Sequence, residues 1–338
     1  MSWGAPLAVS LGDPAGVGPE LIAAAWVARE VEALPPFVVA GGADILAAAA
    51  RQRGLSVPVQ QVFHPMEAFD CFGHALPVLA GADGDYRPGA PDRAGAELAL
   101  ASLEEAARLA VAGEVEAIVT APISKARLAE VGFVHPGQTE FVAEACSYHP
   151  GDAVMMLAGP HLRAVPLTVH VALSAVPALL TSALIERKAR IVAGALIRDF
   201  GICAPRLAVA ALNPHAGEEG RMGDEEDRII APAIALLRAE GIDITGPHPA
   251  DALFTARARE TYDAALCMYH DQALIPLKAL DFDSGVNVTL GLPVIRTSPD
   301  HGTAFGIAGT GHADPGAMIA AIRMAGECAA RRYGHDDD

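Results

Sequence analysis

Three histidines each close an apolar, strand-like run: Leu167-Thr-Val-His170, Leu212-Asn-Pro-His215 and Cys267-Met-Tyr-His270. Three neutral imidazoles are a competent ligand set for zinc or a similar divalent ion, with coordination positions left open for a substrate. The pattern leaves two readings open. The three meet at one metal centre, or they occupy separate strand ends and one of them is a general base. Asp251 and Asp271 are suited either to fixing imidazole tautomers or to accepting a proton. Lys278, Asn287 and Arg296 supply two cations and an amide, a set that fits a phosphate dianion. The plain alternatives are a solvated charge for Lys278 and a structural ion pair for Arg296.

The elements that must position these residues alternate between strand and helix. Short continuous apolar runs read as buried strands at Ala5–Leu11, Phe37–Ala40, Val115–Val119, Ala153–Leu157, Leu162–Val169, Arg206–Leu212 and Ala264–Met268. Helical patterning predicts helices over Leu21–Val31, Ile45–Arg51, Ala96–Ala112, Phe141–Cys146 and Glu225–Glu240, a set running to Phe200 that Ser174 is placed to cap, and a last one over Asp314–Arg331 before an acidic tail at Asp336–Asp338. Gln52–Arg93 reads as irregular. The alternation argues an α/β architecture with a largely parallel sheet. In such sheets ligands bind beyond the carboxyl ends of the strands, where the histidines stand. Gly12-Asp-Pro-Ala-Gly-Val-Gly-Pro-Glu20 is a strand–loop–helix entry able to cradle an anion, but its spacing is not G-x-G-x-x-G.

Composition narrows the class. The 338 residues are 52% hydrophobic and 19% charged, enough for one large or two medium globular domains. A formal charge of −17 argues against nucleic acid as a partner, so an anionic ligand needs a local basic cluster. The five cysteines are scattered without a C-x-x-C pair, against both a disulfide framework and a thiolate zinc site. Neither a signal peptide nor an apolar run of membrane-spanning length is evident, so a cytoplasmic protein with no membrane partner is expected.

Several motifs in order, Gly12–Glu20, Thr120-Ala-Pro-Ile-Ser-Lys125, Asn213-Pro-His-Ala-Gly217, Gly246-Pro-His-Pro-Ala-Asp251, Tyr269-His-Asp-Gln272 and Arg296-Thr-Ser-Pro-Asp-His-Gly-Thr-Ala304, resemble the 4-hydroxythreonine-4-phosphate dehydrogenase family of pyridoxal phosphate biosynthesis. The likeness runs from about residue 6 to about residue 320. It implies the two-domain fold of the isocitrate and isopropylmalate dehydrogenases, not a Rossmann fold. Residues 1–128 with 290–338 would form the first domain, 129–289 the second, carrying the metal ligands and the dimer interface, with the active site in the cleft. It also implies a homodimer with a metal site shared between subunits, His170 and His215 from one and His270 from the other. The ion would be zinc, magnesium, manganese or cobalt. Gln138, Thr139, Lys278, Asn287 and Arg296 would bind the substrate phosphate. His301, Gly302, Thr303, Ala304 and Gly309 would lie in the loop that binds NAD or NADP. Asp251 and Asp271 would be the catalytic carboxylates. Most family members carry His-Thr-Glu where this chain has Gln138-Thr-Glu140; glutamine donates an N–H to a phosphate oxygen but carries no charge.

The implied reaction is oxidation of 4-phosphooxy-L-threonine to 2-amino-3-oxo-4-phosphooxybutanoate, which decarboxylates to 3-amino-2-oxopropyl phosphate. The nearest alternative is a related dehydrogenase acting on a four-carbon sugar-acid phosphate, another hydroxy acid or an aromatic cis-dihydrodiol. Lys278, Asn287 and Arg296 together favour a phosphorylated substrate. From another class come a phosphate acetyltransferase-like acyltransferase, which needs neither NAD nor the histidines, and a metal- and anion-binding protein without turnover.

Overall fold

The structure, a computed structural model, describes residues 3–334, so the acidic stretch 336–338 lies outside the described residues. Along the chain the strands are β1 (Leu7–Ser10), β2 (Phe37–Ala40), β3 (Val59–Val62), β4 (Leu76–Leu79), β5 (Ala117–Thr120), β6 (Val154–Ala158), β7 (Arg163–Pro166), β8 (Arg206–Ala210), β9 (Asp243–His248), β10 (Ala264–Cys267), β11 (Val286–Leu290) and β12 (Ile295–Pro299). Two compact units result: residues 1–150 with 292–338, and residues 151–291. This division moves the expected boundary at 128 to 150. The reason is local: the helix Gln138–Ala145 buries Val142 and Ala143, and Phe141 packs on the Ala96, Leu103 and Leu128 cluster of the first unit.

In the first unit the strand order is β3-β4-β2-β1-β5-β12, every pair parallel. β1, β2, β4 and β5 are buried along their whole length, as expected of strands covered by helices on both faces. β3 and β4 fall within the stretch read as irregular. Val59-Gln-Gln-Val62 is a half-exposed edge strand with no apolar run, and Pro77 interrupts the pattern of β4, so neither gave a strand signal. The helix Arg93–Val111 begins where the Asp92 side chain accepts from the Gly95 N–H at 2.8 Å.

In the second unit the order is β11-β6-β7-β10-β8-β9. β7, β10, β8 and β9 are parallel, while β6 pairs antiparallel with both β7 and β11. The helix Ser182–Phe200 is capped by Thr181, which accepts from the Leu184 N–H at 3.1 Å, rather than by Ser174. The expected long helix from Glu225 opens instead with a π-helical turn, Glu226–Ile230, before the α-helix Ala231–Ala239. No helix among the described residues is long and apolar enough to cross a membrane.

Candidate active site

The sheet order explains how distant histidines reach one edge. β7, β10 and β8 are adjacent and parallel, so their carboxyl ends lie at the same rim, and each run continues into one of the three histidines. The rims are laced together by buried bonds. Leu167 N–H donates to the Cys267 carbonyl at 2.7 Å, and Thr168 Oγ1 to the Met268 carbonyl at 2.8 Å. Gln272 receives the Met268 N–H on Oε1 and donates Nε2 to the Ala211 carbonyl, both at 2.7 Å, tying β10 to the end of β8. Lys188 reaches up from its helix to the Leu167 carbonyl at 3.0 Å, and burial lowers its ammonium to about 8.

At this rim the His170 and His270 rings lie 5.6 Å apart, centroid to centroid, at 42°. With Thr168, Val171, Tyr269 and Asp271 they line a cavity of about 210 Å³. His270 opens the helix His270–Asp281, and its Nδ1 sits 2.8 Å from Asp271 Oδ1. A carboxylate there accepts a hydrogen bond from Nδ1–H and leaves Nε2 with its lone pair free for a ligand. Asp271 is therefore an orienter of the imidazole. Asp251 is exposed on the short helix Ala250–Leu253. His170 and His215 both adopt left-handed backbone, φ 52° in each case. The resemblance assigns His170 and His215 to one subunit, whereas the rings that lie together within one chain are those of His170 and His270. Among the described residues no three His, Cys, Asp or Glu side chains of the single chain are grouped to hold a metal ion.

The phosphate candidates fall into two groups. In the first unit Arg296, on β12, is 3% exposed and packed against the end of β5. Its guanidinium donates to Thr120 Oγ1 at 2.6 and 3.0 Å, to Gln138 Oε1 at 2.8 Å and to Thr139 Oγ1 at 3.3 Å. These acceptors are neutral. Burial lowers the guanidinium to about 10, opposed by the charge of Glu140, so it stays a cation at neutral pH in a desolvated setting. Gln138 begins its helix rather than preceding it, and its Nε2 donates to the Ala121 carbonyl at 3.2 Å. Its side chain thus orients Arg296, a role that the expected phosphate contact did not anticipate. In the second unit Lys278 is half-buried on the helix of His270, and the buried Asn287 Oδ1 has no hydrogen-bond partner among the described residues.

The loop after β12 is fastened by the first unit's own residues. Val17 N–H donates to the Thr303 carbonyl at 2.9 Å, and a Cβ on Gly16 would stand 2.8 Å from that oxygen, which requires glycine there. Glu20, 1% exposed, accepts from Gly309 N–H at 3.1 Å and from Arg53 at 3.2 Å, and Gln52 donates to the Gly309 carbonyl at 2.9 Å. Ala304 is left-handed at φ 46°. His301 turns Nδ1 to the Gly302 carbonyl at 3.0 Å and leaves a buried Nε2 with no partner among the described residues. A larger cavity of the same unit, about 460 Å³, is lined by Asp83, Asp85, Asp92 and Glu97 with Arg87, a set too acidic to attract a phosphate.

Sequence reasoning missed Lys188, Gln272 and Glu226, which hold the site residues in place. Gln272 lay inside a quoted motif, two residues past His270. The others are polar side chains on buried faces, which periodicity treats as breaks in the pattern.

Comparison with known proteins gives a consistent family. Residues 32–325 match the family described as "Pyridoxal phosphate biosynthetic protein PdxA". A 4-hydroxythreonine-4-phosphate dehydrogenase of Erythrobacter litoralis is 64% identical over 97% of each chain. One of Zymomonas mobilis is 53% identical over 98% of this chain and 97% of its own. The crystal structure of the enzyme of that name from Klebsiella pneumoniae superposes with a TM-score of 0.86 at 39% identity, covering 96% of this chain and 98% of that one.

Proposed function

Because the chain belongs to the pyridoxal phosphate biosynthetic protein PdxA family, we propose that it is a cytoplasmic, homodimeric, metal- and NAD(P)-dependent dehydrogenase of 4-phosphooxy-L-threonine. The observation that carries the reading on this chain's own residues is Arg296, a buried cation bonded to the neutral Thr120, Gln138 and Thr139. Such a group is poised for a dianion, and desolvation strengthens the attraction. By the family resemblance, Lys278 and the Asn287 side-chain amide are phosphate ligands as well.

His170, His215 and His270 fit a divalent ion by donor chemistry. All are imidazoles at one sheet rim, and His270 has its Nε2 freed by Asp271. Among the described residues no three such donors of one chain are grouped, and the family resemblance implies that a second copy completes the set. The chemistry such an ion supplies is acidification of the hydroxyl it faces and stabilisation of negative charge on oxygen. The loop of His301, Gly302, Thr303, Ala304 and Gly309 fits the nicotinamide cofactor: its backbone is held by Glu20, Gln52 and Val17, and the His301 Nε2 is left to bond a ligand.

In this reading the C3 hydroxyl loses its proton to Asp251 or to water, and the C3 hydrogen leaves with its electron pair to the nicotinamide ring. The product is a β-keto acid. Breaking its C1–C2 bond releases CO2 and leaves an enolate, which is reprotonated to 3-amino-2-oxopropyl phosphate. The residues gripping the phosphate fix the four-carbon chain so that C3 faces the cofactor. The test is anaerobic incubation with 4-phosphooxy-L-threonine, NAD⁺ or NADP⁺ and one divalent ion at a time, with an acyl-CoA and phosphate assay as control. Reduced nicotinamide and CO2 are expected. Acyl transfer without nicotinamide reduction contradicts the proposal.

A further inference from the structure

We propose that Glu226 is a positioning residue that sets the His215 loop before any ion arrives; this rests on the reading of His215 as a metal ligand. From His215 to Gly220 every residue has positive φ: His215 52°, Ala216 53°, Gly217 79°, Glu218 47°, Glu219 57° and Gly220 83°. Left-handed backbone is unfavourable for a non-glycine residue, and four of these six are not glycine. A loop of this kind relaxes unless something outside it fixes its entry.

Glu226 supplies that anchor. It is 3% exposed, and its carboxylate points at the loop's first residues. Oε1 accepts both the Leu212 and the Asn213 N–H at 2.8 Å. Oε2 accepts the Asn213 side-chain amide at 2.9 Å, and Glu225 accepts from the same amide at 2.8 Å. Three donors on one buried carboxylate satisfy its charge without a cation. The segment so gripped ends two residues before His215.

Two features show a local structure built around this contact. Glu226 opens the π-helical turn Glu226–Ile230, whose extra residue shifts the helix start relative to the loop, and such turns recur at functional sites. A Cβ on Gly217 would stand 2.8 Å from Glu226 Oε2, so the loop presses a glycine against the carboxylate. Gln272 closes the arrangement from the other side by bonding the Ala211 carbonyl. Entry, apex and neighbouring strand are fixed by groups that are not ligands. The His215 ring is presented in place, and little ordering entropy remains to be lost on binding an ion.

The test uses the full chain and cobalt(II), whose visible absorption reports the ligand set. Glu226→Gln is expected to keep the far-UV circular dichroism, weaken cobalt binding about 10- to 100-fold and alter the cobalt spectrum. In the metal-free variant, amide exchange at Leu212 and Asn213 should accelerate. Gly217→Ala, which pushes a methyl against the carboxylate, should shift cobalt affinity the same way and serves if the first variant does not fold. Unchanged exchange at Leu212 and Asn213 overturns the positioning role. So does unchanged cobalt affinity in Glu226→Gln while His215→Ala loses it. If His215→Ala also leaves cobalt binding intact, the ligand assignment falls, and the inference with it.

Discussion

The anion grip around Arg296 and the histidine rim solve opposite problems. Arg296 is buried at 3% exposure and is held within one unit of one chain by Thr120, Gln138 and Thr139. The histidines sit at the rim of the other unit, His170 and His215 in left-handed backbone, with the His170 and His270 rings drawn together. The first region is finished before a ligand arrives. The second has its loops anchored by Gln272, Lys188 and Glu226 but its donor set open.

The largest effect falls on the rim: His215→Ala should reduce metal-dependent nicotinamide reduction to background, and full activity in the metal-stripped variant would remove the metal from the account. Next, Arg296→Ala should raise KM for the phosphorylated substrate about tenfold to a hundredfold, the worth of a charge-assisted hydrogen-bond set. Arg296→Lys should not recover it, because an ammonium cannot donate in the planar fork to Thr120, Gln138 and Thr139 together. An unchanged KM removes Arg296 from the phosphate site.

A third prediction concerns stability. Burial first, and Arg187 second, lower Lys188 from 10.5 to about 8. Below pH 8 both folded and unfolded chains carry this proton and folding bears the cost of burying it. Between pH 8 and 10.5 only the unfolded chain holds it, so the contribution to stability rises with pH, by roughly 3 kcal/mol across the window. Denaturant titrations should show wild type gaining on Lys188→Met over that range, and parallel curves would contradict the assignment. The smallest effect is expected of Gln138→Ala, which removes one acceptor from Arg296 and should raise KM about fivefold, near 1 kcal/mol.

The same contrast governs what could be read from the sequence. His170, His215 and His270 were legible because each ends an apolar run, and parallel pairing of β7, β10 and β8 then brings those ends to one rim. Arg296 was legible as a cation, but its neutral partners were not, since Thr120 and Gln138 lie 176 and 158 positions away in the chain. The bond that Gln138 accepts from Arg296 likewise has no signal in the sequence. Glu226 left no trace in periodicity, because a buried carboxylate in a π-turn looks like any charged residue of a helix. β3 was missed for want of an apolar run at the sheet edge.

The claim on which the account turns is that histidines from two copies of the chain serve one centre. Co-expressing His215→Ala with His270→Ala tests it directly, because each variant alone spoils every site. A mixed dimer that shares ligands contains one centre with all its histidines intact, so the mixture should recover about a quarter of wild-type metal-dependent activity. No recovery, with mixed dimers shown to form, would contradict the shared centre.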